Sequence, residues 1–494
     1  MSQSTPVPAR SDMRLPYTHV TDHFIDGAYI DSTGAQRNDV VDPATEEVWA
    51  SVPNATDEDL ERAVGAATRA FPDWAARTAS ERARILLRAA DEVEARGELM
   101  ALTNTRENGT PITETRGAAA NAAGIFRYFA ELAPWLETED VRPFPNGAGV
   151  TAVHKDPIGV CALIAPWNFP INLVVAKLAP ALLAGCTVVI KPASPTPLSV
   201  RFIVDALTAA GVPAGVVNLV TGNGAMGDRL VRHPGVRKVA FTGSTPVGRK
   251  IAAACGEQLK PVTLELGGKS SAVVLPDADL DHMSSVLIRS CMRNTGQTCY
   301  ISTRILAPVE RYEDVVTMVR DTVAAARQDD PLREDTVFGP MANRSQYDVV
   351  MGYLDSAREE GARAVTGGGR ADRDTGFYVQ PTVLADVTPE MTVAREEIFG
   401  PVITILPYRD VDEAVELANN TPFGLGGIVF SADEARAQEV ARRINTGSVG
   451  INFFASNHAA PFGGRGDSGL GVEFGVEGLS AYLTYQSVHH RAGA

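Results

Sequence analysis

The first third of the chain carries apolar residues at helical spacing, and the rhythm then changes. Thr56 precedes an acidic turn (Asp57, Glu58, Asp59), and Leu60, Val64, Ala67 and Phe71 follow, which predicts a capped helix with one apolar face. Ser80 is expected to open a second helix with Ile85, Leu86, Ala89 and Val93 inward, and Gly97 to end it. From about Gly159 the apolar residues come in short runs separated by helical stretches. Thr187 to Ile190 and Val216 to Val220 read as strands, with a helix between them from Thr196-Pro197 to the Gly211-Val-Pro213 stop. Val239 to Phe241, Val262 to Leu266 and Ser271 to Leu275 continue the series. Strand, helix, strand at this spacing predicts an α/β fold of parallel βαβ units, with ligands at the carboxyl ends of the strands. The most apolar stretch, Leu173 to Ile190, holds Lys177, Pro180 and Gly185 and runs into Lys191-Pro192. It predicts a buried helix and strand, and no membrane span.

Composition narrows the partners. At roughly 150 residues per domain, 494 residues allow two to four domains and a large core. Sixty acidic against 45 basic side chains, a net charge of −15, argue against nucleic acid or an anionic membrane as partner. Only seven of the basic residues are lysines, and all seven lie between 155 and 269. The five cysteines are widely spaced without a CxxC or paired-histidine pattern, so neither a disulfide framework nor a metal site is expected, and the setting is expected to be a reducing, cytoplasmic one. Met1 to Arg14 is polar with scattered proline and lacks the apolar core of a secretion signal; it reads as a mobile arm.

Two glycine strings suggest phosphate. Gly222-Asn-Gly224-Ala-Met-Gly227 fits GxGxxG after a strand, but no acidic strand end follows about twenty residues on. Phe241-Thr-Gly243-Ser-Thr-Pro-Val-Gly248 is a strand, a turn and a helix start whose free N–H groups suit a pyrophosphate. It is not a P-loop, because Arg249 stands at the lysine position; Gly267-Gly268-Lys269-Ser270 fails as well, with Thr263 where the first glycine belongs. Phosphate binding is supported and phosphoryl transfer is not.

Three further segments decide the chemistry: Pro166-Trp-Asn-Phe-Pro170, Leu264-Glu-Leu-Gly-Gly-Lys-Ser270 and Gly296-Gln-Thr-Cys299. With Lys191-Pro-Ala-Ser194, Phe241-Thr-Gly-Ser244, Glu397-Ile-Phe-Gly-Pro401 and Pro461-Phe-Gly-Gly464 they resemble, in order and spacing, the aldehyde dehydrogenase superfamily, over about Phe24 to Val488. The resemblance implies an NAD(P)-dependent, non-acylating enzyme that oxidises an aldehyde to the acid. Cys299, after a small polar turn, is expected to attack the aldehyde carbon as a thiolate. Cys161, Cys186, Cys255 and Cys291 are expected to be buried packing residues. The side-chain amide of Asn168 and the backbone N–H of Cys299 match the oxyanion hole. Glu265 matches the base that activates water to hydrolyse the Cys299 thioester. Members that pass the acyl group to coenzyme A tend to lack this carboxylate, so it implies a free acid as product. Lys177 and Glu473 match a proton path to solvent, with a structural ion pair as the alternative.

For the cofactor, the resemblance implies Ile164, Ala165, Pro166 and Trp167 at the nicotinamide end and Lys191 at the adenosine ribose. Phe241, Gly243 and Ser244 belong to the pyrophosphate turn, Val247 and Gly224 lie by the adenine, and Leu266 and Gly267 form the glycine loop. Glu397 is expected at the nicotinamide ribose and Phe399 near the ring. Members strict for NAD often carry Glu three residues after the lysine, where it repels a 2′-phosphate; here Ser194 stands there. NAD is the expected cofactor, with NADP left open. Phe169, Leu173, Ala176, Met292, Tyr300, Phe453, Phe454 and Phe462 are expected near the aldehyde, with no Arg or Lys to hold a carboxylate. An uncharged aliphatic, terpenoid or aromatic aldehyde is therefore expected. A semialdehyde or betaine-aldehyde specialist is the alternative, and an inactive structural homologue is a third reading, opposed by the intact Cys299, Glu265 and Asn168.

The implied architecture is a Rossmann-like cofactor domain (19–127 and 151–263), a second α/β catalytic domain (264–477) and a small β-rich oligomerisation flap (128–150 and 478–494), after an N-terminal arm (1–18). The β-rich tail from Leu479 to Val488 is expected to pair with a neighbouring subunit in a homodimer or homotetramer.

Overall fold

The computed structural model of the chain describes Arg10 and residues 22–491. Five parallel strands form the heart of the first sheet: β1 (Val160–Ile164), β2 (Thr187–Lys191), β3 (Val217–Leu219), β4 (Lys238–Thr242) and β5 (Val262–Glu265), in the order β3-β2-β1-β4-β5. The order reverses between β1 and β4, which opens a crevice at their carboxyl ends. A hairpin of Asp22–Ile25 and Ala28–Asp31 pairs with β3, and Gly469–Leu470 returns from far down the chain to pair antiparallel with β5. The second sheet is built on β6 (Ser271–Val274), β7 (Arg304–Pro308), β8 (Thr382–Ala385), β9 (Val402–Tyr408) and β10 (Gly427–Phe430), in the order β8-β9-β7-β6-β10. These strands are buried along most of their length, as parallel strands covered on both faces must be.

The order of the chain dictates how the two sheets meet. Only Leu266 to Ser270 separate the end of β5 from the start of β6. The carboxyl edge of the first sheet therefore faces the amino edge of the second. The expectation of ligands at carboxyl ends holds for the crevice between β1 and β4. On the other side of the seam it is reversed, since Cys299 precedes β7 and Glu397 precedes β9.

The helices follow the pattern with local corrections. α1 (Asp57–Ala75) opens with a capping box between Thr56 and Asp59. α2 (Ala79–Ala95) is capped by Thr78, not Ser80: the Thr78 hydroxyl accepts from the Glu81 N–H at 3.1 Å, and the Glu81 carboxylate accepts the Thr78 N–H at 2.8 Å. Ser80 instead bonds Glu137, and Gly97 starts the next helix. The helix expected from Thr196 begins at Arg201, because the buried Glu107 carboxylate takes the N–H groups of Leu198 and Ser199. α3 (Ile112–Glu131) packs against α4 (Pro170–Ala184), which joins β1 to β2. Thirteen of the fifteen residues of α4 are buried, which accounts for its membrane-like composition. Among the described residues no helix is long and apolar enough to cross a membrane.

The tail strand Leu483–Arg491 pairs antiparallel along its full length with Gly149–Pro157 of its own chain, which also pairs with Asp140–Pro143. Its first partner is thus internal, and it forms one edge of a three-stranded sheet. Tyr128 belongs to α3, outside that sheet. The N-terminal arm lies outside the described residues apart from Arg10, whose guanidinium is ion-paired with Asp42 and, at 2.6 Å, with Asp330.

Lysines are used inward. Lys177, Lys191, Lys238 and Lys269 are buried. Lys155 and Lys260 are half-buried and donate to backbone carbonyls, which leaves Lys250 as the exposed one.

α4 ends at Gly185, whose φ of 99° is left-handed, and the Arg82 guanidinium donates to the last carbonyls of the helix. A Cβ at this position would also sit 3.2 Å from Arg82 Cζ. Gly185→Ala is therefore expected to cost about 1–2 kcal/mol, read as a lower urea midpoint at unchanged slope.

Candidate active site

Cys299 ends an irregular segment between the helix α6 (Leu280–Cys291; α5 is Thr245–Glu257) and β7. Asn294, Thr295 and Gly296 have φ values of 53°, 55° and 76°, three consecutive left-handed residues that only a well-tied turn sustains. The ties are present. Thr295 Oγ1 accepts from the Gly339 N–H at 3.0 Å, Gln297 Oε1 from the Ala342 N–H at 2.9 Å, and Asn294 Oδ1 from the Thr110 hydroxyl at 2.8 Å. At Gly296 any Cβ would meet the Gly400 carbonyl oxygen at 1.9 Å, so the motif glycine is required by a backbone crossing. Of the five cysteines, all free, the other four are buried and Cys299 alone is partly exposed.

Asn168, just before α4, faces this turn. Its side-chain amide donates to the Gln297 carbonyl at 2.9 Å, which leaves a second N–H for a ligand, while its own carbonyl accepts the side-chain amides of Asn108 and Asn294. Glu265, at the end of β5, is 3% exposed and neither carboxylate oxygen has a hydrogen-bond partner. Burial and the nearby Glu473 hold its carboxyl well above the ordinary carboxylate range, and Lys177 opposes the shift. A Cβ on Gly463 would come within 3.2 Å of its Oε1, so the Pro461-Phe-Gly-Gly464 loop covers it closely. Burial, with the charges of Glu397 and Glu265, also raises the Cys299 thiol.

Lys177 is wholly buried on α4. Its ammonium lies 2.6 Å from Glu473, donates to the Thr242 hydroxyl at 2.6 Å and reaches the Leu173 carbonyl at 3.3 Å. Glu473 is fixed in turn by a two-bond bridge to the backbone of Phe462. Thr242, which the motifs do not single out, is what holds the lysine against β4.

The cofactor residues line the seam. Lys191 ends β2 with its ammonium on one carbonyl, that of Pro192 at 3.1 Å; burial brings it down to about 8. Ser194 spends its hydroxyl on the Gly222 carbonyl at 3.0 Å. Gly224 opens the helix Gly224–Arg232, capped by Asn223, and faces open space. α5 starts after Ser244 with no side-chain cap, so its first N–H groups are left for a ligand, and Val247 beside them is 44% exposed. The Phe241 ring lies over Gly243, where a Cβ would come within 2.4 Å of it. Ile164 and Ala165 are buried at the end of β1, followed by Pro166 and Trp167. Leu266 is pinned by Ser468 at 2.8 Å. The Glu397 carboxylate accepts the Gly268 N–H at 3.0 Å and fills the space a Cβ on Gly267 would need; burial pushes it up to about 7. Phe399, at φ 54°, packs edge-on against Trp167 with centroids 5.4 Å apart. An uncapped helix start, a buried ammonium with donors to spare and a cradle of small residues fit a dinucleotide.

The expected aldehyde-side residues separate into two groups. Tyr300 stacks on Phe454 at 4.9 Å and meets the edge of Phe462 at 6.2 Å, with Phe169 and Leu173 half-buried nearby in sequence terms to Asn168 and Lys177. Met292 and Ala176 are 1% and 2% exposed, inside the cores of the two halves, and Phe453 is 63% exposed, away from this aromatic group. None of these eight positions is Arg or Lys, but a cation from outside the set stands beside two of them. The Arg293 guanidinium lies 5.1 Å from the centre of the Phe169 ring and donates to the Tyr300 hydroxyl at 2.5 Å, paired with Glu114 of α3. Its motif-adjacent position was visible; its direction and its distant partner were not.

Comparison with known proteins agrees with this geometry. The model of the aldehyde dehydrogenase family matches residues 29–488. A geranial dehydrogenase of Castellaniella defragrans is 47% identical over 480 residues, covering 97% of this chain and 99% of that protein. A 3-succinoylsemialdehyde-pyridine dehydrogenase of a Pseudomonas species is 38% identical over 468 residues, covering 94% and 97%. An aldehyde dehydrogenase of Pseudomonas syringae, solved as a cysteine-to-alanine mutant with NAD+ and octanal, superposes with a TM-score of 0.94 at 38% identity, covering 97% of this chain and 99% of that one.

The buried pair of Lys177 and Glu473 gives a stability test. Lys177→Met strands a carboxylate and is expected to cost about 3–5 kcal/mol in urea unfolding, whereas Lys177→Met with Glu473→Leu recovers most of that. A role in proton transfer predicts that the double variant regains stability without regaining turnover.

Proposed function

The chain belongs to the aldehyde dehydrogenase family, and on that premise we propose that it oxidises an uncharged, hydrophobic aldehyde to the carboxylic acid through a Cys299 thioester. The observation that carries the reading is one partly exposed thiol, Cys299, set on a strained turn tied to the Asn168 amide, with a buried carboxylate, Glu265, in its electrostatic reach.

Cys299 Sγ bonds to the aldehyde carbon, and the oxygen takes up negative charge. The free N–H of the Asn168 amide, on a buried side chain, and the backbone N–H of Cys299 stabilise that charge. The thiol must first lose its proton. Its surroundings hold it neutral, and Glu265, whose proton affinity is raised, is suited to take the proton. The chemistry a bound dinucleotide supplies is hydride acceptance at its nicotinamide ring. Glu265 then takes a proton from the water that attacks the thioester carbon, and the acid leaves as Cys299 regains its proton. Lys177 and Glu473 offer the proton a way out behind Glu265.

For the dinucleotide, Lys191 is assigned to the adenosine ribose, Gly243 and Ser244 to the pyrophosphate, and Val247 and Gly224 to the adenine side. Glu397 is assigned to the nicotinamide ribose, with Trp167 and Phe399 at the ring. The NAD+ complexes among the relatives support NAD as the cofactor. No carboxylate stands at Ser194 to repel a 2′-phosphate, which supports tolerance of NADP. The unpaired outer edge of Leu483–Arg491 supports a homo-oligomer built on the small sheet.

The aromatic group of Tyr300, Phe454 and Phe462 and the geranial dehydrogenase relative support a hydrophobic substrate. A semialdehyde is the second reading, favoured by Arg293 and by the succinoylsemialdehyde relative.

Four measurements test the reading. Cys299→Ala is expected to abolish NADH formation, and Glu265→Gln, which leaves neither the thiol nor the hydrolytic water its base, to slow NADH formation and to let an acyl group persist on Cys299, seen by intact-protein mass spectrometry. In the unaltered protein the hydrolytic step should weaken as pH falls through a group titrating above the ordinary carboxylate range, since Glu265 works unprotonated. Separately, kcat/KM for geranial, hexanal and succinic semialdehyde with each cofactor is expected to favour the first two, with NAD preferred less than about a thousandfold over NADP. A preference for succinic semialdehyde would overturn the substrate class.

A further inference from the structure

The second reading turns on whether Arg293 is available to an anion. Arg293 sits six residues before Cys299 in the tied turn, and its side chain is 29% exposed. Its guanidinium covers Phe169 and binds the hydroxyl of Tyr300, the residue after the nucleophile, so it stands at the wall of the aldehyde site. An aldehyde that carries a carboxylate at its far end would be recognised by such a group through the fork of Nε and Nη2. That fork is taken. Nε donates to Glu114 Oε1 at 2.8 Å, Nη2 donates to the same oxygen, and Nη1 is spent on Tyr300. Glu114 comes from the first turn of α3, and its side chain is 30% exposed.

We propose that Glu114 is a specificity-determining residue: a built-in carboxylate that occupies the anion-binding face of Arg293 and so keeps aldehyde acids out. The inference rests on the proposed reading of Phe169 and Tyr300 as walls of the aldehyde site. The pair is neutral as a whole, so an uncharged chain passes along the apolar stem and the aromatic faces. An incoming carboxylate meets Glu114 as a like charge and finds the Nε–Nη2 fork occupied. Discrimination of this kind acts on binding more than on chemistry, because neither residue touches the reacting carbon.

The test compares hexanal with 6-oxohexanoate, equal in length and different in charge at the far end, in the unaltered protein, E114Q, R293M and E114Q/R293M. In E114Q, whose amide oxygen can stay on the guanidinium but neither neutralises it nor repels an anion, the ratio of kcat/KM for 6-oxohexanoate to that for hexanal is expected to rise by about tenfold or more, the scale of one charge-assisted hydrogen bond. The gain should appear in KM for the acid. R293M, with Glu114 left alone at the opening, should lower the ratio, and E114Q/R293M should cancel the gain of E114Q. A ratio within twofold of the unaltered protein in E114Q overturns the inference. Should a melting curve show E114Q unfolded, E114D, whose carboxylate is drawn back by one methylene, is read in its place, and an unchanged ratio there overturns it equally. The outcomes separate from those of the substrate reading: a preference of the unaltered protein for 6-oxohexanoate defeats that reading, while the Glu114 inference is judged on the change between proteins.

Discussion

The short joint between β5 and β6 is the constraint on which the site depends. Leu266 to Ser270 carry the chain from one parallel sheet into the other, and a joint that short fixes the carboxyl edge of the first against the amino edge of the second. One edge then presents β-strand ends bearing Lys191, Thr242 and Glu265, and the other presents the loops that lead into strands, bearing Cys299 and Glu397. The glycines of the joint follow from the same closeness. At Gly268 a Cβ would stand 2.5 Å from the Cys299 carbonyl oxygen, and at Gly267 it would displace the Glu397 carboxylate. Cys299 at the entry to one sheet and Glu265 at the end of a strand of the other are thus carried to the same joint by the course of the backbone.

The same closeness sets the electrostatics. Glu265, Glu473, Lys177 and Lys269 are buried around the joint, with the half-buried Glu397 beside them. Glu397 and Lys269 are both brought to about 7, from opposite directions, because burial disfavours each charged form. Lys177 is held differently: it is ion-paired with Glu473 and donates to the Thr242 hydroxyl and the Leu173 carbonyl.

Much of this was legible in the sequence, and the failures have physical causes. Strand positions, the Thr56 cap and the separation of Cys299 from four buried cysteines rest on short-range patterning, which a single chain displays. Ser80 was mistaken for the cap because Thr78 and Ser80 are both good caps two residues apart; only Glu81, placed to complete the box with Thr78, distinguishes them. Phe453 and Phe454 are adjacent in an extended segment, where neighbours point to opposite sides, and the sequence does not say which faces inward. Arg293 was missed because its meaning comes from Glu114, 179 positions away in the chain. The side of the second sheet that carries the site was misjudged because a rule for strand ends was applied to a sheet entered from the opposite edge.

The arginine-rich composition leaves a practical mark on the folded molecule. Surface ion pairs here are made by arginine, while lysine is drawn inside, where its ammonium sits on hydroxyls and carbonyls. Only Lys250, on α5, is left in the open. To a reagent that acylates amines, the side chains of this large protein therefore offer one ready address, two turns into the helix whose start is assigned to the pyrophosphate. A label or surface attached there would have a defined orientation, and it would sit at the cofactor side of the molecule.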